Sequence, residues 1–243
     1  MQRLGLIGGT GLDSWGDAVA THKTDSAYGQ PSAGFAEYRV GNLQIFFLPR
    51  HGELHNIPPH GINYRANIDA FRQLAVDGII AVNAVGGISE NNGPGTITVP
   101  DQLIDYTWGR AHSFSMTADD VLQHVEFANP FSGPLRAALI KAAKTAPITI
   151  SDGGCIGVTQ GPRLESAAEI QRFKKDGCDM VGMTSMPEAA LAREASLDYA
   201  SLCVNANWGA GLEDEPVTMD AIEATLVDAM VRVRQVLAAL FEE

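Results

Sequence analysis

The stretch GIIAVNAVGG, residues 78–87, constrains the fold most. It carries no charge, does not alternate apolar with polar, and ends on two glycines. A strand with one wet face alternates. A run that is apolar throughout belongs to a sheet covered by helices on both sides. The segments RLGLIGG (3–9), LQIFFLPR (43–50), TITVPDQLID (96–105), DMVGMTSMP (179–187) and ASLCVNAN (200–207) read as further strands, most of them likewise largely apolar and without alternation. Between and after them lie segments with apolar residues at helical spacing: 63–78, 133–145, 166–177, 187–195 and 219–241. Thr218 can cap the last of these, and Asp220 suits its first turn. Strands alternating with helices predict an α/β fold with a mostly parallel sheet. The chain has no internal repeat, low-complexity tract or linker, so one domain over 1–243 is the simplest organisation.

Ligand sites in such folds lie at the carboxyl ends of strands. The formal charge of −12 argues against nucleic acid or an anionic membrane as partner, since both need a basic surface. A small anion is still admissible in a pocket with one arginine and converging backbone N–H groups. Cys155, Cys178 and Cys203 are far apart in sequence with no C-x-x-C pair, which predicts isolated thiols, not a disulfide framework or zinc site. No signal-peptide pattern is present, and no apolar run reaches the ~18 residues of a membrane span. A cytoplasmic location is expected.

Several strand ends carry polar residues. GGTG places Thr10 in a glycine turn after the first strand, without the spacing of a dinucleotide or P-loop fingerprint. PRHGELH places Arg50 and His51 after another, where an arginine suits an anion. His51 and His55 are four apart, but the surrounding prolines and glycine oppose the helix that a metal pair would need, and no metal is expected. Asn83 and Ala84 precede a glycine pair, and Met183 and Thr184 precede a helix start. Glu165 follows a Gly-Pro turn at another helix start. Taken singly, each also has a plain reading as turn, cap or core. G-x-S-x-G is absent, which weakens a Ser-His-Asp hydrolase.

Taken together, IGGTGL, PRHG, NYRANIDA, NAVGGI, TQGPRLES and VGMTSMPEAALARE occur in the order and spacing of the trimeric purine nucleoside phosphorylase and methylthioadenosine phosphorylase family, and the chain resembles that family along its whole length. The resemblance implies a single α/β domain with a mixed, partly barrel-like central sheet flanked by helices. It implies a homotrimer, a purine nucleoside and inorganic phosphate as substrates, and no cofactor. Thr10, Arg50, His51, Asn83, Ala84 and Thr184 match the family's phosphate positions, and Met183 matches the position that packs on the ribose. Leu164 stands where members place an aromatic residue, and His124 matches a residue that reaches the neighbouring subunit's site.

Members that cleave adenine nucleosides carry two aspartates where Asn205 and Asn207 stand here. Members that cleave 6-oxopurines carry an asparagine matching Asn205 and a glutamate matching Glu165. The chemistry agrees. An ionised carboxylate only accepts, which suits the N1–H of hypoxanthine or guanine, and an amide can donate to O6 or N7. Asn205 and Glu165 are therefore the expected catalytic pair. Inosine and guanosine enzymes of the family also place a histidine near the start of the last helix. Here PVTMDAIEA offers Met219 and Ile222 on one helical face, suited to a methylthio group. The expected reaction is phosphorolysis of S-methyl-5′-thioinosine, with inosine, guanosine or methylthioadenosine as alternative substrates.

Overall fold

The computed structural model describes residues 2–115, 117 and 120–242. The strands are β1 (Arg3–Gly8), β2 (Ala20–His22), β3 (Phe35–Val40), β4 (Leu43–Pro49), β5 (Gly78–Gly87), β6 (Ile97–Val99), β7 (Gln102–Asp105), β8 (Ser151–Asp152), β9 (Cys155–Val158), β10 (Met180–Gly182) and β11 (Asp198–Trp208). The helices are α1 (Tyr64–Gln73), α2 (Gly133–Thr145), α3 (Ala167–Asp176), α4 (Ser185–Glu194) and α5 (Met219–Phe241). All strands join one mixed sheet. The sequence-predicted strand at 96–105 is interrupted at Pro100–Asp101, so it forms β6 and β7.

That interruption shapes the sheet. β6 pairs β8 and β7 pairs β9 in one unbroken register, with Val99 opposite Asp152 and Gln102 opposite Cys155. Gly153 and Gly154 lie opposite the Pro100–Asp101 bend, and the Gly153 N–H still donates to the Val99 carbonyl at 2.9 Å. β11 pairs β6 and β5, β5 pairs β10, and β10 pairs β9. The circuit β5–β11–β6/β7–β8/β9–β10 therefore closes on itself, which is the barrel-like part of the fold. The arm β1–β4–β3–β2 leaves it along the first half of β5.

β5 and β11 are buried on both faces, as their uniform apolarity predicts. Ile80, Val82, Leu202 and Val204 pack with Leu139 of α2 and Val233 of α5. Ile79, Ala81, Tyr199 and Cys203 pack with Phe71 of α1 and Leu191 of α4. α3 covers a smaller cluster through Ile170 and Phe173. The Thr218 side chain accepts from the Ala221 N–H and caps α5. Cys155, Cys178 and Cys203 are all free thiols, with Cys178 and Cys203 buried and Cys155 partly buried. Among the described residues, no helix is long and apolar enough to cross a membrane.

Candidate active site

A cavity of about 400 Å³ opens at the carboxyl ends of β1, β4, β5, β10 and β11. Of the sequence-predicted site residues, Thr10, Arg50, His51, Ala84, Glu165, Met183, Thr184, Asn207, Met219 and Ile222 line it, as does Leu164. Asn83, Asn205 and His124 do not. Asn83 lies directly beneath the cavity and accepts from Thr184 Oγ1 at 3.1 Å. His124 is exposed in an irregular segment before α2, away from the cavity of its own chain.

One end of the cavity is built for an anion. A side chain at Gly9 would come within 2.5 Å of the Val82 carbonyl and 2.9 Å of Arg50 Nη1, so glycine lets the β1 turn lie against both. Arg50 is buried and forked. Its Nε and Nη2 donate to the two carboxylate oxygens of Glu188 at 2.8 and 2.9 Å, and Nη1 donates to the Val82 carbonyl at 3.0 Å. One N–H on each terminal nitrogen remains for a ligand. Thr184 precedes α4 without capping it by its side chain. His51 Nδ1 donates to the Ile57 carbonyl at 2.8 Å. Burial lowers its pKa to about 4, with the Arg50 and His55 charges acting in the same sense and the Ile57 bond opposing them. The His51 and His55 rings lie 4.8 Å apart in a turn, not a helix. Among the described residues no group of three or more metal-ligating side chains exists.

Glu165 and Asn207 bring a carboxylate and an amide to the same cavity. Glu165 Oε1 accepts from Thr159 Oγ1 at 2.6 Å, and burial raises the Glu165 pKa. The two asparagines of N-A-N do not act as a pair. The β5 ladder slips between them, with Asn205 opposite Val85 and Asn207 opposite Gly86, which leaves Ala206 as a bulge. Asn207 faces the cavity over Gly86, its Nδ2 donating to the Trp208 carbonyl at 2.6 Å. Asn205 turns inward, and its Nδ2 donates to Thr96 Oγ1 at 2.9 Å and Thr98 Oγ1 at 3.2 Å. The amide at this strand end that faces the cavity is thus Asn207 and not Asn205. Regular strand alternation would have put both on one face.

A third wall is apolar. Val217, Met219 and Ile222, from the loop before α5 and its first turn, line it, and no histidine joins them. Three residues that sequence reasoning did not single out as site residues complete the framework. Glu188 has no exposed surface and also accepts from Tyr199 Oη at 2.8 Å. Arg110 donates to the carbonyls of Met183 (2.9 Å), Met186, Thr159 (3.2 Å) and Gln160 (2.8 Å), so it braces the Met183 and Glu165 walls together. Thr159 orients Glu165. A glutamate within the apolar PEAALA run was a signal for Glu188, whereas Arg110 sits in an irregular segment that offers none.

Residues 3–242 match the phosphorylase superfamily. A probable S-methyl-5′-thioinosine phosphorylase of Xanthomonas campestris pv. campestris is 51% identical over 222 residues, covering 89% of this chain and 88% of the relative. A purine nucleoside phosphorylase of Streptomyces coelicolor is 39% identical, covering 96% of this chain and 86% of that one. Methylthioadenosine phosphorylase from Schistosoma mansoni, solved in complex with adenine, superposes with a TM-score of 0.95 at 32% identity, covering 99% of this chain and 91% of that chain. With its six-segment signature, its closed strand circuit and its three-ended cavity, the chain belongs to the phosphorylase superfamily, in the branch that holds the purine nucleoside and methylthioadenosine phosphorylases.

Proposed function

We propose that the protein cleaves the N-glycosidic bond of S-methyl-5′-thioinosine with inorganic phosphate, giving hypoxanthine and 5-methylthioribose 1-phosphate. The observation that carries this reading is the three-ended cavity: an anion end at Arg50 and Thr184, a carboxylate at Glu165, and an apolar wall at Met219 and Ile222. The activity named for the 51% identical relative supports the same substrate.

Phosphate sits at the Arg50 end and attacks C1′ as the bond from C1′ to the base nitrogen breaks. The bonding electrons leave with the purine, and the proton of hydrogen phosphate ends on hypoxanthine, so the reaction balances without a cofactor. Phosphate stabilises the cationic ribosyl centre by proximity. Glu165 accepts from N1–H, and Asn207 takes the role toward O6 or N7 that the resemblance gave to Asn205. Met183 packs on the sugar, and Met219 and Ile222 bury the methylthio group.

A second reading has its own support. Burial raises the Glu165 pKa, and a protonated Glu165 can donate to N1 of adenine, which would admit methylthioadenosine. A phosphate-dependent turnover panel of inosine, guanosine, methylthioadenosine and methylthioinosine separates the readings. Preference for methylthioinosine is expected. Adenine release as the faster reaction would replace it with the second reading, and turnover without phosphate would remove both.

A homotrimer fits the surface. Trp108, Val121 and Leu122 are 71%, 83% and 68% exposed in the segment that also carries His124, a surface suited to a neighbouring copy. Light scattering should give the mass of three 25.9 kDa chains. A location in the cytoplasm accords with three free thiols.

A further inference from the structure

Beneath the anion end runs a buried chain of hydrogen bonds that no role above uses in full. Thr184 Oγ1 donates to Asn83 Oδ1 at 3.1 Å. Asn83 Nδ2 donates to Ser201 Oγ, and Ser201 Oγ donates weakly to the Ala81 carbonyl at 3.4 Å. Cys203 Sγ lies 3.4 Å from Ser201 Oγ. Ser201 and Cys203 alternate down one face of β11 beside Ala81 and Asn83 of β5, and both have no exposed surface.

The direction of this chain conflicts with anion binding. As arranged, the Thr184 hydroxyl hydrogen is committed to Asn83, so Thr184 offers the cavity only lone pairs. Hydrogen phosphate has a single O–H to give them, and its other three oxygens can only accept, so a Thr184 turned to any of those three meets it without a hydrogen. The conflict disappears if the Asn83 amide makes a half-turn. Nδ2 then donates to Thr184 Oγ1, the Thr184 O–H is free to donate to phosphate, and Ser201 O–H donates to Asn83 Oδ1. Every buried group keeps a partner in both arrangements, so neither carries the penalty of an unpaired polar atom. This is possible because the far end is a hydroxyl, which accepts in one arrangement and donates in the other.

We propose that Ser201 is a positioning residue for phosphate, acting through a reversible Ser201–Asn83–Thr184 hydrogen-bond relay whose direction inverts when the anion binds. The proposal rests on the phosphate-binding reading above. Without the Ser201 hydroxyl, the inverted amide oxygen faces only the weak thiol donor of Cys203. The bound arrangement then loses its strongest support, while the resting one keeps the Thr184 O–H on the amide oxygen.

The test is a double-mutant cycle on phosphate affinity, read from phosphate-induced thermal stabilisation and from KM for phosphate, using the full chain with Ser201→Ala, Thr184→Val and both together. Wild-type protein should be stabilised by phosphate. If it is not, the phosphorylase reading fails and the relay with it. Given that stabilisation, Ser201→Ala should weaken phosphate affinity at least about fivefold, with the nucleoside KM changed less than about twofold. In the Thr184→Val background the same change should have almost no effect, because contacting sites in one network are not additive. Equal phosphate affinity of Ser201→Ala and wild type, or an effect that persists undiminished beside Thr184→Val, overturns the relay. Ser201→Cys carries the same cycle if the alanine variant does not fold. Its weaker donor should give an intermediate loss, and unchanged phosphate affinity would again overturn the relay.

Discussion

Glu188 receives the Arg50 guanidinium on both carboxylate oxygens, at 2.8 and 2.9 Å, with neither side chain more than 1% exposed. The fork fixes the plane of the guanidinium and thereby aims its remaining N–H groups at the cavity. Removing one partner of such a pair leaves a buried charge uncompensated. Glu188→Ala should cost about 3–5 kcal/mol of stability. For a chain of this size that lowers Tm by about 6–20 °C. Calorimetry checks it, and an unchanged Tm would contradict the role of the fork.

His51 predicts a pH dependence. Its pKa in the fold is about 4, chiefly from burial, against an ordinary value of 6.5. Between those values the unfolded chain holds the proton and the folded one does not. Stability from this group is therefore present above pH 6.5 and lost as pH falls toward 4. Denaturant titrations of wild type and His51→Gln across that window should show a shallower decline for the variant.

Glu165→Gln replaces an acceptor with a group that can also donate. Hydrogen bonds to charged partners contribute about 1.5–3 kcal/mol, so kcat/KM for methylthioinosine should fall about 10–150-fold. In the wild type the acid limb of that activity should lie above the ordinary carboxylate range, because burial raises this pKa. Activity on methylthioadenosine should move the opposite way with pH. Steady-state profiles on both nucleosides provide the check.

The two asparagines should separate cleanly. Asn205→Ala removes the amide from the Thr96 and Thr98 hydroxyls. It should cost about 1–3 kcal/mol of stability. Asn207→Ala should leave Tm nearly unchanged and lower kcat/KM for the oxopurine. Thermal melts and turnover measured together decide this, and the reversed pattern would return the base contact to Asn205.

Met219→Ala trims the apolar wall at the cavity's third end. Losing about 1–2 kcal/mol of burial should reduce kcat/KM for methylthioinosine about 5–30-fold. Inosine, with a hydroxyl there, should be affected much less. The ratio of the two specificity constants measures it.

What could be read in the sequence was whatever short windows encode. GIIAVNAVGG is β5 to the residue, and residues 133–145 are α2. Thr218 announced the start of α5. β3 was missed because FAEYRV mixes charge with apolar residues, and its strand character comes from pairing β4. β8 and β9 escaped because two glycines interrupt a ladder that only its partner strand makes continuous. Most of the candidate site residues do line the cavity, because strand ends are local features. Glu188 meets Arg50 across 138 residues, and that partnership is written in the tertiary arrangement alone. The divergence of Asn205 and Asn207 is likewise a property of register against β5, invisible in N-A-N itself.

The Ala206 bulge carries a consequence for how specificity can drift in this lineage. Loss of the single codon for Ala206 would leave Asn205 opposite Val85 and Asn207 opposite Gly86, whereas pairing Ala206 regularly in place of the bulge would turn both amides to one face, with neither residue mutated. Base preference at this edge is therefore set by strand pairing as well as by chemistry, and comparing relatives column by column would miss such a change.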